Sequence, residues 1–466
     1  MTKDEATPGA LWAGRFSSPP APQAHALGRS LAFDRALVAQ DVAAGAAHAR
    51  ALQDVGLLTA EEADALAEAL AEAGRAIADD GYVYDDADED VHSAVERAVT
   101  ERLGEVGAKL HAGRSRNDLV VTDLRLWLLE AAGRVESAVA DLMDALLTRA
   151  REHTQTVMLG TTHGRAAQPV TMGHHLLAHA WPLARDLERL DQWAERTSTS
   201  GLGAGAIATS TLGLDPAATA RRLGMRRAFG NSIDAVSDRD FVQEFLADAT
   251  ICATHVSRLA ADLARWSDAS LGWAELDEAY STGSSMMPQK RNPDTAELAR
   301  GKAARVAAGF AQMASLLQGL PAGYHRDLQE DKEPVFDAAA TLELVLPAVA
   351  GAVRTMRVDA EALRAACEDP GLYATDLAEA LVRAGVPFRE AHHRTGAMLK
   401  ELADQGRAPG AMAPEEWVAF GVPEGARMLD PDRSIAARTM AGGPSPASVS
   451  AQADAIRRFL QERASV

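Results

Sequence analysis

The chain has 466 residues, 47% of them hydrophobic, and a formal net charge of -19. That length exceeds one compact core, so two or three domains are expected. The acidic balance argues against a nucleic-acid-binding protein, which would carry a basic face. It does not forbid an anionic substrate, which requires only a local cluster of Lys and Arg. The 2 cysteines, Cys252 and Cys367, are too few for a disulfide framework and show no metal spacing. The N-terminus lacks a basic-then-apolar signal pattern, and no apolar run reads as long enough to span a bilayer. A soluble cytoplasmic protein is the expectation.

Helical periodicity dominates the chain. Residues 1–113 read as a smaller helical domain, acidic and Ala-rich between Ala60 and Ala87. A central domain, 114–363, opens with Val121, Leu124, Leu128, Ala132, Val135, Val139, Leu142 and Leu146, a narrow seam in steps of three and four. A second run carries Leu176, Ala180, Leu183, Leu187 and Leu190. A third starts near Asp238, a suitable N-cap, and carries Phe241, Phe245, Val256, Leu259 and Leu263. Two more run from about Pro293 to Leu320 and from about Pro334 to Val358. Pro182 and Pro347 should kink or interrupt the second and fifth runs. No convincing alternating strand pattern and no internal repeat is found. Residues 364–466 turn to Gly, Pro and short helices. The fold expected is all-α, with three helical domains and a central long-helix bundle that packs against copies of itself.

Four segments could carry chemistry. In the segment from His111 to Asp118, Gly113 precedes Arg114, Ser115, Arg116 and Asn117 at a helix start. It offers backbone N–H groups, guanidinium forks and an amide to a carboxylate. The alternative is a capped helix with solvated arginines. Thr162 and His163, ahead of the second long helix, could bind an anion and move a proton, although a His there is more often structural. The stretch from Gly283 to Pro293 is the densest. Gly283 lets a loop bend, prolines stiffen it, and Ser284, Lys290 and Asn292 can converge on a carboxylate. No His neighbours Ser284 in sequence, so no nucleophile–base pair is read locally. Tyr324, Gln329 and Lys332 precede the fifth helix, where the plain reading is a solvated charge run. Two patterns are set aside. The Gly201–Gly205 stretch matches a dinucleotide fingerprint by letter but follows no strand. His175 and His179 lie four apart on a helix, but no third metal ligand has suitable spacing.

Together these segments resemble the argininosuccinate lyase family of the fumarase/aspartase superfamily. The Gly283–Pro293 loop matches the superfamily's mobile signature loop. The resemblance runs almost end to end, from the Leu11–Phe16 segment through Asp88–His92, Lys109–His111, Ser237–Asp240 and Gln329–Glu333 to Ala374–Leu377 and Gly385–His392. It implies a carbon–nitrogen lyase, specifically an amidine-lyase, that converts argininosuccinate reversibly to arginine and fumarate. It also implies a homotetramer whose active sites are each shared by three subunits. By the same resemblance Ser284 is the base, and Lys290 and Asn292, with Ser115 and Thr162, hold the dianionic aci-carboxylate. His163 orients the site through Glu297 or helps protonate the departing nitrogen. Ser30, Asp34, Arg116, Asn117, Tyr324, Gln329 and Lys332 hold the substrate. No metal or organic cofactor, nucleic acid or membrane is implied.

The chain departs from the family pattern at Leu159, Thr161, Gly164, Arg165 and Ala166, where Pro, Tyr, Leu, Gln and Arg are usual. Ala112, Leu119 and Val95 replace a usual Thr, Gln and Asn. These changes spare the expected base and carboxylate grips. Two alternatives stand beside the leading reading: a superfamily lyase releasing fumarate from a different N-substituted aspartate, and a catalytically silent structural homotetramer.

Overall fold

A computed structural model of the chain describes residues 21–79 and 81–464. The Leu11–Phe16 segment lies outside the described residues. Five long helices carry the seams: α1 (Arg116–Glu152), α2 (Met172–Thr197), α3 (Asp240–Trp266), α4 (Asp294–Leu317) and α5 (Lys332–Thr355). Every seam position named above in the first three runs is buried. Asp238 Oδ1 accepts from the Asp240 N–H at 2.7 Å, so it satisfies a free donor at the start of α3. Neither proline interrupts its helix: Pro182 lies inside α2 and Pro347 inside α5. Residues 326–355 form a helical stretch long and apolar enough to cross a membrane by length and composition alone, contrary to expectation. Of its apolar window 61% is buried inside the protein, as suits a core helix.

Local chemistry fixes the shorter helices. Thr59 and Glu62 form a capping box that starts the Ala60–Ala78 helix. Asp90 and Ser93 do the same for the Val91–Leu103 helix. Among the described residues the strands form four two-stranded pairs. The longest pair, β1 (Val157–Thr162) and β2 (Arg165–Thr171), is an antiparallel hairpin where no strand is expected. Its residues do not alternate, because a tight turn sets the pairing and one end is covered on both sides. Val157 packs there with Cys367, Leu372, Tyr373 and Ile435.

The chain divides into two compact units, and the division cuts each of the five long helices. The first comprises residues 1–135, 189–250 and 305–341. Its core includes Trp193, whose ring lies 5.3 Å from that of Phe245 and whose indole N–H donates to Phe241 O at 2.7 Å. The second comprises residues 136–188, 251–304 and 342–466, including the hairpin and the Gly283–Pro293 loop. Its C-terminal segment has its own core around Leu377, Leu381, Ala391 and Trp417.

Candidate active site

The hairpin ends in a two-residue turn. Thr162 pairs with Arg165, leaving His163 and Gly164 between them. His163 has φ 54 and Gly164 φ 69, the two left-handed residues of a type I′ turn. Gly164, which departs from the family's Leu, is what this turn requires at its second position. His163 has a side chain where only Gly is free of strain, a cost of about 1 kcal/mol. Thr162, His163 and Arg165 are all exposed, so the turn presents an imidazole and a guanidinium side by side.

The Gly283–Pro293 loop is closed at its base. Thr282 pairs with Asn292 and Gly283 with Arg291. Arg291 anchors that base through ion pairs to Glu275 at 2.9 Å and Glu278 at 2.5 Å. Within the loop Ser284 Oγ accepts the backbone N–H groups of Met286 at 3.3 Å and Met287 at 3.0 Å. Those donors favour negative charge on the oxygen, so they make the hydroxyl easier to ionise. Lys290 is exposed and Asn292 half-buried. Glu297, in the first turn of α4, is exposed and stands 3.8 Å from Arg300. Among the described residues no hydrogen bond or ion pair joins the hairpin turn to this loop.

The remaining expected residues lie in the first unit, most of them tied to one another. Ser30 Oγ donates to Asp34 Oδ2 at 2.5 Å, and Asp34 Oδ1 accepts the Val91 N–H at 3.1 Å. Both residues are buried, and burial pushes the Asp34 carboxyl above its ordinary range. Next to Val91, Asp90 receives Arg116 at 2.6 Å. Arg116 thus links α1 to the Asp88–His92 segment. Ser115 Oγ accepts the Asn117 N–H at 3.2 Å, and Asn117 Nδ2 donates to Ala206 O at 3.3 Å. Gln329 Nε2 and Arg326 both donate to Gly28 O, at 3.3 and 2.6 Å. Lys332 is buried against Asp331 at 2.9 Å, and Asp331 also takes Arg239. Tyr324 packs half-buried beside Ala204, Ala235 and Val236, and burial raises its phenol pKa. The structure therefore gathers Ser30, Asp34 and Arg116 around one strand of backbone. It leaves Thr162, His163 and Lys290 open to solvent and Ser284 half-buried.

Three arrangements escaped the sequence. Asp118 is fully buried and accepts three backbone N–H groups: Ser115 at 2.9 Å, Gly203 at 3.0 Å and Gly205 at 2.8 Å. The glycine-rich stretch thus wraps a carboxylate of its own chain rather than a pyrophosphate. Burial raises the Asp118 pKa, against those three bonds. The second arrangement is His92, buried with Asp41 at 2.5 Å and Asp123 at 3.4 Å. At that longer distance Asp123 is an ion-pair neighbour, while Asp41 is the hydrogen-bond partner. Burial works against the charged ring, but the two carboxylates outweigh it and push His92 up to about 10. Burial raises Asp123 in turn. The third corrects the reading of His175 and His179, which do share a neighbour: Asp262 Oδ2 lies 2.9 Å from the Nε2 atom of each. A gap of more than eighty residues hides it from any spacing rule.

Comparison with known proteins identifies the family. A family described as Lyase matches residues 14–308, and one described as Argininosuccinate lyase C-terminal matches residues 371–436. The argininosuccinate lyase of Roseiflexus sp. (strain RS-1) is 47% identical over 456 residues, covering 97% of this chain and 100% of the relative. That of Frankia casuarinae is 47% identical over 460 residues, covering 97% and 98%. Among solved structures, EDDS lyase in complex with formate gives a TM-score of 0.82 at 28% identity, covering 96% of this chain and 91% of that one. A class II fumarase from Schistosoma mansoni, 14% identical with a TM-score of 0.72 and covering 86% and 91%, shares the fold.

Proposed function

This chain belongs to the argininosuccinate lyase family, and we propose that its own Ser284 starts the reaction by removing a proton from argininosuccinate. The enzyme is a carbon–nitrogen lyase of arginine biosynthesis that releases fumarate and arginine. The proton leaves the carbon beside a carboxylate, where it is not acidic unaided. Its removal becomes feasible when fixed donors hold the doubly negative aci-carboxylate that forms. Lys290 and Asn292, with Ser115 and Thr162, supply that grip. As the electron pair forms the double bond, the carbon–nitrogen bond breaks and the guanidino nitrogen takes up a proton. His163 serves this second half, either by protonating that nitrogen or by orienting the site through Glu297. Ser30, Asp34, Arg116, Asn117, Tyr324, Gln329 and Lys332 hold the rest of the substrate. The observation that carries the base assignment is the pair of backbone N–H groups on Ser284 Oγ, at 3.3 and 3.0 Å. They lower the cost of an alkoxide in a loop that is otherwise open.

We also propose a cytoplasmic homotetramer in which different copies supply different segments of each site. The experiment is subunit mixing. Ser284→Ala and Asn117→Ala proteins are purified, denatured together, refolded and supplied with argininosuccinate, and fumarate absorbance is followed. Each variant alone should be nearly inactive. If the two segments come from different copies, the mixture should recover a clear fraction of wild-type turnover, because some sites then hold neither lesion. Recovery no greater than either parent refutes the shared site. Full turnover by Ser284→Ala alone refutes the base.

A further inference from the structure

We propose that His175, His179 and Asp262 form a site for a divalent late first-row metal ion, with zinc as the natural probe. His175 and His179 are four apart on α2, so their rings lie on one face one turn apart. Asp262 comes from α3. Both Nε2 atoms lie 2.9 Å from the same oxygen, Asp262 Oδ2, and all three ligand atoms fall within 4.8 Å of one another. In a tetrahedral zinc site with bonds near 2.0–2.1 Å, ligand atoms stand about 3.3 Å apart. Each His–Asp edge therefore lies within a few tenths of an ångström of that spacing, and the His–His edge is no longer than 4.8 Å.

Two further features suit a metal. The cluster is partly open to solvent, with side-chain exposures of 29% for His175, 12% for His179 and 29% for Asp262, so an ion can enter and a water can complete its shell. The His175 ring is held edge-on by Trp266, with centroids 5.2 Å apart, which limits its rotation. Two imidazoles and a carboxylate are the donor set that suits zinc, nickel or copper rather than magnesium or calcium. Arg258 opposes a cation, since its charge is felt at His179. The other His–Asp cluster, Asp41–His92–Asp123, is sealed from solvent and offers no such entry.

The plain alternative is a carboxylate that merely accepts two imidazole N–H bonds, and it makes a different prediction. Full-length protein is stripped with a chelator and titrated with zinc in competition with a chromophoric chelator. Wild type, His179→Gln and Asp262→Asn are compared. Wild type should bind one zinc per chain, with each variant weaker by more than about tenfold. Zinc should raise the melting temperature of the wild type only. Cobalt bound to wild type should show visible absorption bands of low-coordinate geometry, a readout that needs no variant to fold. No competing zinc in wild type, affinity unchanged in both variants, or an octahedral cobalt spectrum would each overturn the site.

Discussion

The start of α1 and the Gly283–Pro293 loop both carry expected active-site residues, yet they are built in opposite ways. Around residues 113–118 most polar groups are already spent within the chain, although the buried Arg114 keeps Nε and Nη1 without a hydrogen-bond partner. Arg116 is on Asp90, Ser115 holds the Asn117 N–H, and Asp118 holds three backbone donors. The loop is paired at its base and held inside only by its own backbone bonds, while Met286 is 87% exposed and Lys290 is exposed. The first region is preorganised by folding within the chain, and the second is not. Damage to the first should therefore register as lost stability, and damage to the second as lost rate.

The largest effect expected is on the rate side. Ser284→Ala removes the base and should lower kcat by about 10³-fold, within the range a positioned acid or base contributes. Its melting temperature should match that of the wild type, because the side chain contacts only its own loop. A drop in melting temperature with kcat retained would reverse the contrast. Asp118→Ala is the counterpart. It strips three buried or half-buried N–H groups of their acceptor, a loss of about 3 kcal/mol in a denaturant titration. A variant of full stability would mean that Asp118 does not hold the glycine-rich segment in place.

The same unit offers a pH test of smaller size. The folded-state pKa of His92 lies near 10, above its ordinary value of 6.5. Its stabilising contribution is therefore complete below pH 6.5 and is lost as pH rises toward 10. Asp123, raised to about 7 mainly by burial, lowers stability as pH rises toward 7, so its effect is complete before the window in which His92 titrates. Stability should fall by about 2 kcal/mol between pH 7 and pH 9, and His92→Gln should flatten that fall. An equal slope in the variant would assign the pH dependence to other groups.

Legibility followed the range of the interactions. The seams were visible because helical packing repeats every three or four residues. Leu124, Leu128 and Val135 announce their burial to their neighbours in sequence. The loop was visible because glycine, hydroxyls, lysine and proline crowd into eleven positions. The hairpin was missed because its pairing depends on a turn rather than on alternation. Nothing local marks Asp118, Asp123 or Asp262 as buried or half-buried, since apart from Ser115 their partners lie tens of residues away. A buried carboxylate leaves no local signature. The glycines at 203 and 205 match a nucleotide fingerprint only by letter, a match set aside for want of a strand, and what they hold is the Asp118 carboxylate of their own chain.

The smallest effect expected comes from the hairpin turn, and it separates strain from chemistry. Gly164 has φ 69 and nothing within 4 Å of where a Cβ would stand. Gly164→Ala therefore meets no clash, and its whole cost is the left-handed backbone, about 1 kcal/mol. The same strain is already present at His163, φ 54, one residue earlier. If the turn exists to aim that imidazole, adding strain at Gly164 should shift the ring and lower kcat severalfold while stability falls only slightly. If the turn serves only to close the hairpin, kcat should stay at the wild-type value and stability alone should move. Measuring both in one variant decides which of the two the left-handed histidine is for.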